Sequence, residues 1–362
     1  MIKCIHFIPF DGVGGVETAA RSCIMKGASA KEVDLRLMCL VGWASFKEKS
    51  DQDKNKIFAF TIVRSLARLR THLNNPIAHF WALLTLIRQK PDVLICSLWR
   101  TLFAGILYKL LCPKVKLVCF LHSAGTTNLI DKLINHCGMA VADAIWADSK
   151  TTITIRVPSR LTSRKPLRVI SFILSRIIPP HSLPKNNPFF VYWGRLNYWK
   201  GIDRALQVFA NIHQTIPTAS FFIYGSDDGE EANLKKLVRK LGISNSVHFL
   251  GLQEFKEIKN SSHNYSFYLQ LSRKEGMALS VIEAMQLGLV PIVAPVGEIK
   301  NYCQDSKNSL IIKDIDTATQ RILSLLKDTE NYCELQKNAL SSWRNPLLYA
   351  DDIAIAIQDV VR

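Results

Sequence analysis

Apolar positions along the chain fall into short blocks that alternate between two periods. Compact runs rich in Val, Ile, Leu and Phe predict strands at 3–9, 33–41, 93–97, 115–122 and 144–147, with segments of helical spacing between them. The alternation pauses where Pro158, Pro166, Pro179, Pro180, Pro184 and Pro188 crowd a basic stretch, as at a domain boundary. It then resumes with a strand at 189–193, a loop at 194–201, a helix at 202–212, a strand at 219–224, a helix at 231–241 and strands at 247–250 and 265–271. A helical unit at 275–288, a strand at 290–294 and two closing helices complete the reading. Strands that alternate with helices imply parallel sheets covered on their faces. The expected class is α/β, with two Rossmann-like domains in tandem and a cleft between them. The expected boundaries are 1–170 for the N-terminal domain, 171–188 for a Pro-rich linker, 189–345 for the C-terminal domain and 346–362 for a closing helix.

Composition narrows the picture. A chain of 362 residues is long for one core and comfortable for two. Its 48% hydrophobic and 21% charged residues exclude a disordered chain. No run reaches the roughly 18 to 20 apolar residues of a membrane span, and residues 1–10 lack a cleavage site, so a cytoplasmic protein is expected. None of the nine cysteines forms a C-x-x-C pair, which argues against zinc and against a disulfide framework. Cys39, Cys96 and Cys119 lie in apolar stretches and read as small core residues. Lys and Arg outnumber Asp and Glu by 25 to 11 in residues 1–170, but only by 21 to 19 in residues 171–362. The first half therefore faces an anionic partner. Arg64, Arg68, Arg70 and Arg88, spaced among Leu66, Leu69, Leu73, Trp81, Leu84 and Ile87, suit an anionic membrane surface, although an ordinary helix with its stripe on the core looks the same. No nucleic-acid motif is present, so nucleic acid is not an expected partner.

The candidate chemistry lies mostly in the second half. Glu275 and Glu283, eight positions apart at the mouth of the 275–288 helical unit, put two carboxylates on one face, where they can grip a polyhydroxylated ligand or simply face solvent. Arg195 and Lys200 share the loop after a strand and offer a bidentate fork and a point charge for phosphate. Near the start, the loop holding Gly14 and Gly15 leads from a strand into a helix; it either lets a phosphate approach the backbone or only makes a tight turn. His122 ends a strand facing the expected cleft and could hydrogen-bond a ligand there or be merely structural, and Ser149 is a weaker candidate at another strand end. Asp51-Gln52-Asp53 and Asp314-Ile315-Asp316 spell a metal-binding pair, but both read better as turn residues, and no metal or cofactor is expected.

Three segments together carry a resemblance: Gly14-Gly15 with Glu17, G-R-L-N-Y-W-K-G-I-D at 194–203, and E-G-M-A-L-S-V-I-E-A-M at 275–285. They resemble the retaining GT-B glycosyltransferases of the nucleotide-sugar group often called family four. The resemblance covers most of the chain and is specific from Phe190 to Pro295. It implies a GT-B fold whose second domain holds most of a UDP- or GDP-sugar. Arg195, Lys200, Gly14 and Gly15 would meet the donor diphosphate and Glu283 the ribose hydroxyls. Glu275 and His122 would be the catalytic residues, and the backbone N–H groups of Gly276, Met277 and Ala278 would lie near the sugar. The sequence departs from the family at Met277 and Ala278, and its later glycine-rich turn is reduced to Gly297-Glu298. The implied activity is metal-independent sugar transfer with retention, in lipopolysaccharide, O-antigen or capsule biosynthesis. The implied acceptor is a glycan or lipid-linked intermediate, with the protein peripheral on the inner face of the cytoplasmic membrane. A GT-B sugar-nucleotide epimerase and a catalytically silent binding subunit are the alternatives.

Overall fold

A computed structural model describes residues 1–10, 15–25, 32–41, 57–59, 76–122, 125, 128–179 and 182–362. The chain divides into two units, one formed by Met1–Leu174 with Leu347–Arg362 and the other by Ser175–Pro346. Arg64, Arg68, Arg70, Gly14, Asp51 and Asp53 lie outside the described residues.

The first unit runs β1 (Ile2–Phe10), α1 (Gly15–Met25), β2 (Val33–Val41), β3 (Ile57–Ala59), α2 (Pro76–Gln89), β4 (Val93–Ser97), α3 (Leu98–Leu111) and β5 (Lys116–Leu121). It continues with α4 (Leu129–Val141), β6 (Ala144–Ala147), α5 (Lys150–Arg156), α6 (Ser159–Thr162) and β7 (Leu167–Val169). Its strands form one parallel sheet in the order β3-β2-β1-β4-β5-β6-β7. β4 is buried along its whole length, as an all-parallel strand covered on both faces must be. Cys39, Cys96 and Cys119 are core residues.

The second unit runs β8 (Phe189–Trp193), α7 (Ile202–Thr215), β9 (Ser220–Tyr224), α8 (Glu231–Lys240), β10 (Val247–Gly251), α9 (Phe255–Ser261) and β11 (Phe267–Gln270). After these come α10 (Leu279–Gln286), β12 (Val290–Val293), α11 (Ile299–Tyr302), β13 (Leu310–Ile311), α12 (Ile315–Lys327) and α13 (Thr329–Ser342). The sheet is again parallel, in the order β10-β9-β8-β11-β12-β13. α7 shows why the pattern folds this way: Ile202, Leu206, Phe209 and Ile212 are buried while its intervening polar residues point outward.

Both sheets reverse their order of addition at the first strand, between β1 and β4 and between β8 and β11. In open α/β sheets this switch point leaves a crevice outside the carboxyl ends of the two strands, where ligands bind.

Hydrophobic spacing predicts two closing helices after residue 294, whereas four follow β12. Asp328 separates α12 from α13 and caps the latter, its side chain accepting the Asn331 N–H at 3.0 Å. The last helix, α14 (Tyr349–Val361), belongs to the first unit. There Asp352 accepts from Arg168 and from the Ser171 N–H, each at 2.7 Å.

Candidate functional site

The switch point of the second unit gathers the candidate residues. β8 ends at Trp193 and leads through Gly194 and Arg195 to the turn Tyr198–Lys200, while β11 ends at Gln270 and leads through Ser272 to Glu275. Lys200 Nζ donates to both carboxylate oxygens of Glu275, at 2.8 and 3.0 Å. Glu275 Oε1 also accepts from Gln270 Nε2 and Ser272 Oγ, each at 2.7 Å. The Lys200 side chain is 20% exposed and that of Glu275 6%. Gln270 is itself locked, since its Oε1 accepts from Tyr268 Oη at 2.6 Å and from Ser280 Oγ at 3.1 Å. A carboxylate held by four donor contacts cannot swing, so its orientation is set before any ligand arrives.

Glu275 was expected in the first turn of a helix, but α10 begins only at Leu279. The cause is tertiary. Ala278 has φ +54°, a left-handed value that stops helix, and the loop carbonyls before α10 are held from outside. Tyr302 Oη donates to the Met277 and Ala278 carbonyls at 3.0 and 3.2 Å, and the Glu298 N–H to that of Gly276 at 2.9 Å. Gly297, with φ +57°, passes so close to the Glu275 and Gly276 carbonyls that no β-carbon fits there. Because the carbonyls are taken, the N–H groups remain. Ala278 stands at the N-cap of α10 and has no side chain to cap it. Among the described residues the N–H groups of Met277, Leu279 and Ser280 make no hydrogen bond. An uncapped helix N-terminus beside a lysine is a site for an anion.

Glu283 lies further along α10 and accepts from the Trp193 indole N–H at 2.8 Å. Burial raises its pKa above the ordinary carboxylate value, and the indole bond offsets this only in part. A folded-state pKa raised in this way contributes stability below the unfolded pKa, and that contribution is lost as pH rises through the folded value. Glu283→Gln is therefore expected to be more stable than the parent at neutral pH, with the advantage fading toward acid. Urea midpoints at the two pH values check it.

Arg195 is apart from this cluster. Its side chain is 69% exposed and pairs with Asp228 at 3.1 Å, which also accepts from Asn197 Nδ2 at 2.9 Å. Exposed pairs of this kind are worth at most about 1 kcal/mol, so Arg195 can turn to another anion at little cost. Spacing and motif did not single out Trp193, Gln270 or Ser272. A polar residue closing the apolar strand F-Y-L-Q was the available signal for Gln270.

In the first unit, His122 Nε2 meets Ser97 Oγ at 2.7 Å, and His6 Nε2 meets the same oxygen at 2.8 Å. One hydroxyl proton serves two rings, so one Nε2 donates to Ser97 and the other accepts from it. Burial pushes His6 down to about 3; burial, then the neighbouring His6, pushes His122 well below its ordinary value. Among the described residues His122 Nδ1 is buried without a partner, so a ligand hydroxyl reaches this ring only if the ring turns or releases Ser97. Gly15 opens α1, and among the described residues nothing lies within 4 Å of where a β-carbon on it would stand. Ser149 is engaged in holding a helix end, where it caps α5 by accepting the Thr152 N–H at 3.1 Å and donating to Thr152 Oγ1 at 2.8 Å. Asp314 likewise accepts from the Thr317 N–H and hydroxyl at the start of α12.

Residues 175–341 match the family Glycosyl transferases group 1. Trehalose synthase of Pyrococcus horikoshii is 26% identical over 163 residues, 43% of this chain and 39% of that protein. The GDP-mannose:cellobiosyl-diphosphopolyprenol alpha-mannosyltransferase of Xanthomonas oryzae pv. oryzae is 23% identical over 152 residues, 41% of this chain and 40% of that one. The chain thus spans about two fifths of the length of these relatives. Among solved structures, Anabaena HepE in complex with UDP superimposes with a TM-score of 0.78 at 17% identity, covering 99% of this chain and all of that one.

Proposed function

We propose, from the match of residues 175–341 to the family Glycosyl transferases group 1 and from the GT-B fold, that the chain moves a sugar from a nucleotide-sugar donor to a hydroxyl acceptor. The observation that carries this reading is the Lys200–Glu275 pair beside the uncapped N-terminus of α10, at the switch point of the second sheet. The N–H groups of Leu279 and Ser280 and the Lys200 ammonium receive the donor diphosphate, and Arg195 turns to it from the loop. These fixed positive groups meet the charge that grows on the leaving diphosphate, the role a divalent ion plays in other transferases. Glu283 accepts from the ribose hydroxyls, and Glu275 Oε2 from a hydroxyl of the transferred sugar.

Transfer proceeds with retention. The bond from the anomeric carbon to the diphosphate oxygen breaks, and the acceptor oxygen bonds to that carbon on the same face. Its proton passes to the departing diphosphate. Three donors on Glu275 Oε1 make this carboxylate a poor nucleophile, which favours the front-face route. A glycosyl adduct trapped on Glu275 contradicts it.

HepE was solved with UDP, and the Xanthomonas relative is named for GDP-mannose and a diphosphopolyprenol acceptor, so a UDP- or GDP-sugar and a lipid-linked or surface-polysaccharide acceptor fit the reading. No helix among the described residues is long and apolar enough to cross a membrane. Contact with such an acceptor would then be made from the membrane surface.

Thermal unfolding of the purified chain with UDP, GDP, ADP and CMP tests the donor site. A nucleotide at a hundredfold over its Kd adds about 2.7 kcal/mol, or roughly 5 to 10 °C for a unit of this size. Stabilisation by one nucleotide, lost in Arg195→Ala and in Glu283→Gln, is expected. No stabilisation by any of them contradicts the assignment.

A further inference from the structure

We propose that the rings of Tyr198 and Trp199 form a stacking platform for a sugar ring of the acceptor glycan, at the rim of the proposed donor site. The inference rests on the transfer reading, which is what brings a glycan to this part of the chain. Both residues stand in the turn that carries Lys200, yet neither packs into the core: Tyr198 is 54% exposed and Trp199 55%. Among the described residues of the second unit they are the only exposed Phe, Tyr or Trp side chains. Apolar side chains scattered singly over a surface are ordinary. These two are neighbours set edge to face, with ring centroids 5.4 Å apart and planes at 73°.

The pair is held in place by the loop that leads from β11 to Glu275. Arg273 donates from Nη1 and Nη2 to the two carboxylate oxygens of Asp203 on α7, each at 2.7 Å, and Nη1 donates again to the Tyr198 carbonyl at 3.1 Å. Its main-chain N–H donates to the Trp199 carbonyl at 2.8 Å. A guanidinium fixed in this bidentate way cannot drift, and it lies 4.2 Å over the Tyr198 ring. The Lys274 ammonium lies 5.8 Å over the Trp199 ring. A cation thus backs one face of each ring, while more than half of each side chain stays open to water. Two rigid rings ordered before any ligand arrives lose little entropy on binding one.

The chemistry of the platform selects a sugar as its occupant. A pyranose carries hydroxyls around its rim and C–H bonds on its faces, and those slightly positive C–H groups fit the negative face of an aromatic ring. Its hydroxyls need polar partners at the edge, which the Tyr198 hydroxyl, the Trp199 indole N–H and the Lys274 ammonium provide. A purely apolar partner would cover these polar groups without bonding them, at a cost in free energy. Position selects the acceptor. Trp199 directly precedes Lys200 and Lys274 directly precedes Glu275, the two residues that form the ion pair of the proposed donor site. A ring stacked on Tyr198 and Trp199 therefore adjoins the transferred sugar without taking its place, as a ring of the acceptor glycan must.

The test is saturation-transfer NMR on the full chain, with UDP present, using the methyl glycosides of glucose, galactose, mannose and N-acetylglucosamine as probes. Transfer to the ring C–H protons of at least one glycoside is expected, with an affinity that falls about tenfold or more in Tyr198→Ser/Trp199→Ser and about fivefold in Trp199→Ala. Both positions are exposed, so the variants should match the parent in melting temperature and in any nucleotide stabilisation, which separates loss of the platform from loss of fold or of the donor site. A parent chain that transfers saturation to none of the glycosides overturns the proposal. Equal affinity in the parent and the double variant also overturns it, because the sugar then sits elsewhere. So does a dimer that the double variant dissociates, because the rings then belong to a second copy. Failure of the transfer reading shows separately, as a parent that no nucleotide stabilises, and a glycoside signal lost with the two rings supports a sugar platform even then.

Discussion

Glu275→Ala is expected to abolish transfer, by a factor of about 100 or more, and to destabilise the second unit by about 3 kcal/mol. The carboxylate is the common acceptor for Lys200, Gln270 and Ser272. Without it a mostly buried ammonium and two buried donors lose their partner together, and an unpaired buried group costs more than the bond it made was worth. The loss corresponds to roughly 6 to 12 °C in melting temperature for a unit of this size. The expected transfer defect has a separate origin: in the proposed site Lys200, no longer held, would lose its aim at the diphosphate. A double-mutant cycle distinguishes the two. Lys200→Met/Glu275→Gln should recover part of the stability lost in Glu275→Ala, since no buried charge is then unpaired, while activity stays low. Equal loss of stability in the single and double variants would falsify the coupling.

Gly201→Ala should be nearly as damaging, for steric reasons. Gly201 has φ +61° and sits directly against Leu271, so that an added β-carbon would fall inside the carbonyl oxygen of that residue. The left-handed backbone and the clash together cost about 3 kcal/mol, because neither β11 nor the turn before α7 can move away. The same contact brings Lys200 next to the end of β11, so the variant should also lose nucleotide stabilisation. Differential scanning calorimetry with and without UDP reads both effects. An alanine variant that melts with the parent would show that the two loops are not tightly apposed.

How far the sequence could be read follows from the range of each interaction. The strands at 189–193 and 290–294 were legible because a continuous apolar run is a local signal. β3, β7 and β13 were not, since two or three residues at a sheet edge carry no period. Arg195, Lys200, Glu275 and Glu283 stood out through their spacing and through resemblance. Their partners did not: the indole of Trp193 reaches Glu283 on α10 from the end of β8, 90 positions away in the chain. The start of α10 was misread for a related reason. Met277 and Ala278 are good helix formers, and only contacts from Tyr302 and Gly297 hold them out of the helix. That departure from local preference is what leaves the amide groups open, so the feature least visible in the sequence is the one on which the proposed donor site depends.

A crystal structure of the chain soaked with UDP tests the central claim most directly. The account predicts diphosphate oxygens about 3 Å from the Leu279 and Ser280 N–H groups and from Lys200 Nζ, with the ribose hydroxyls on Glu283. A diphosphate bound elsewhere, with the Lys200–Glu275 pair and the N-terminus of α10 untouched, would contradict it.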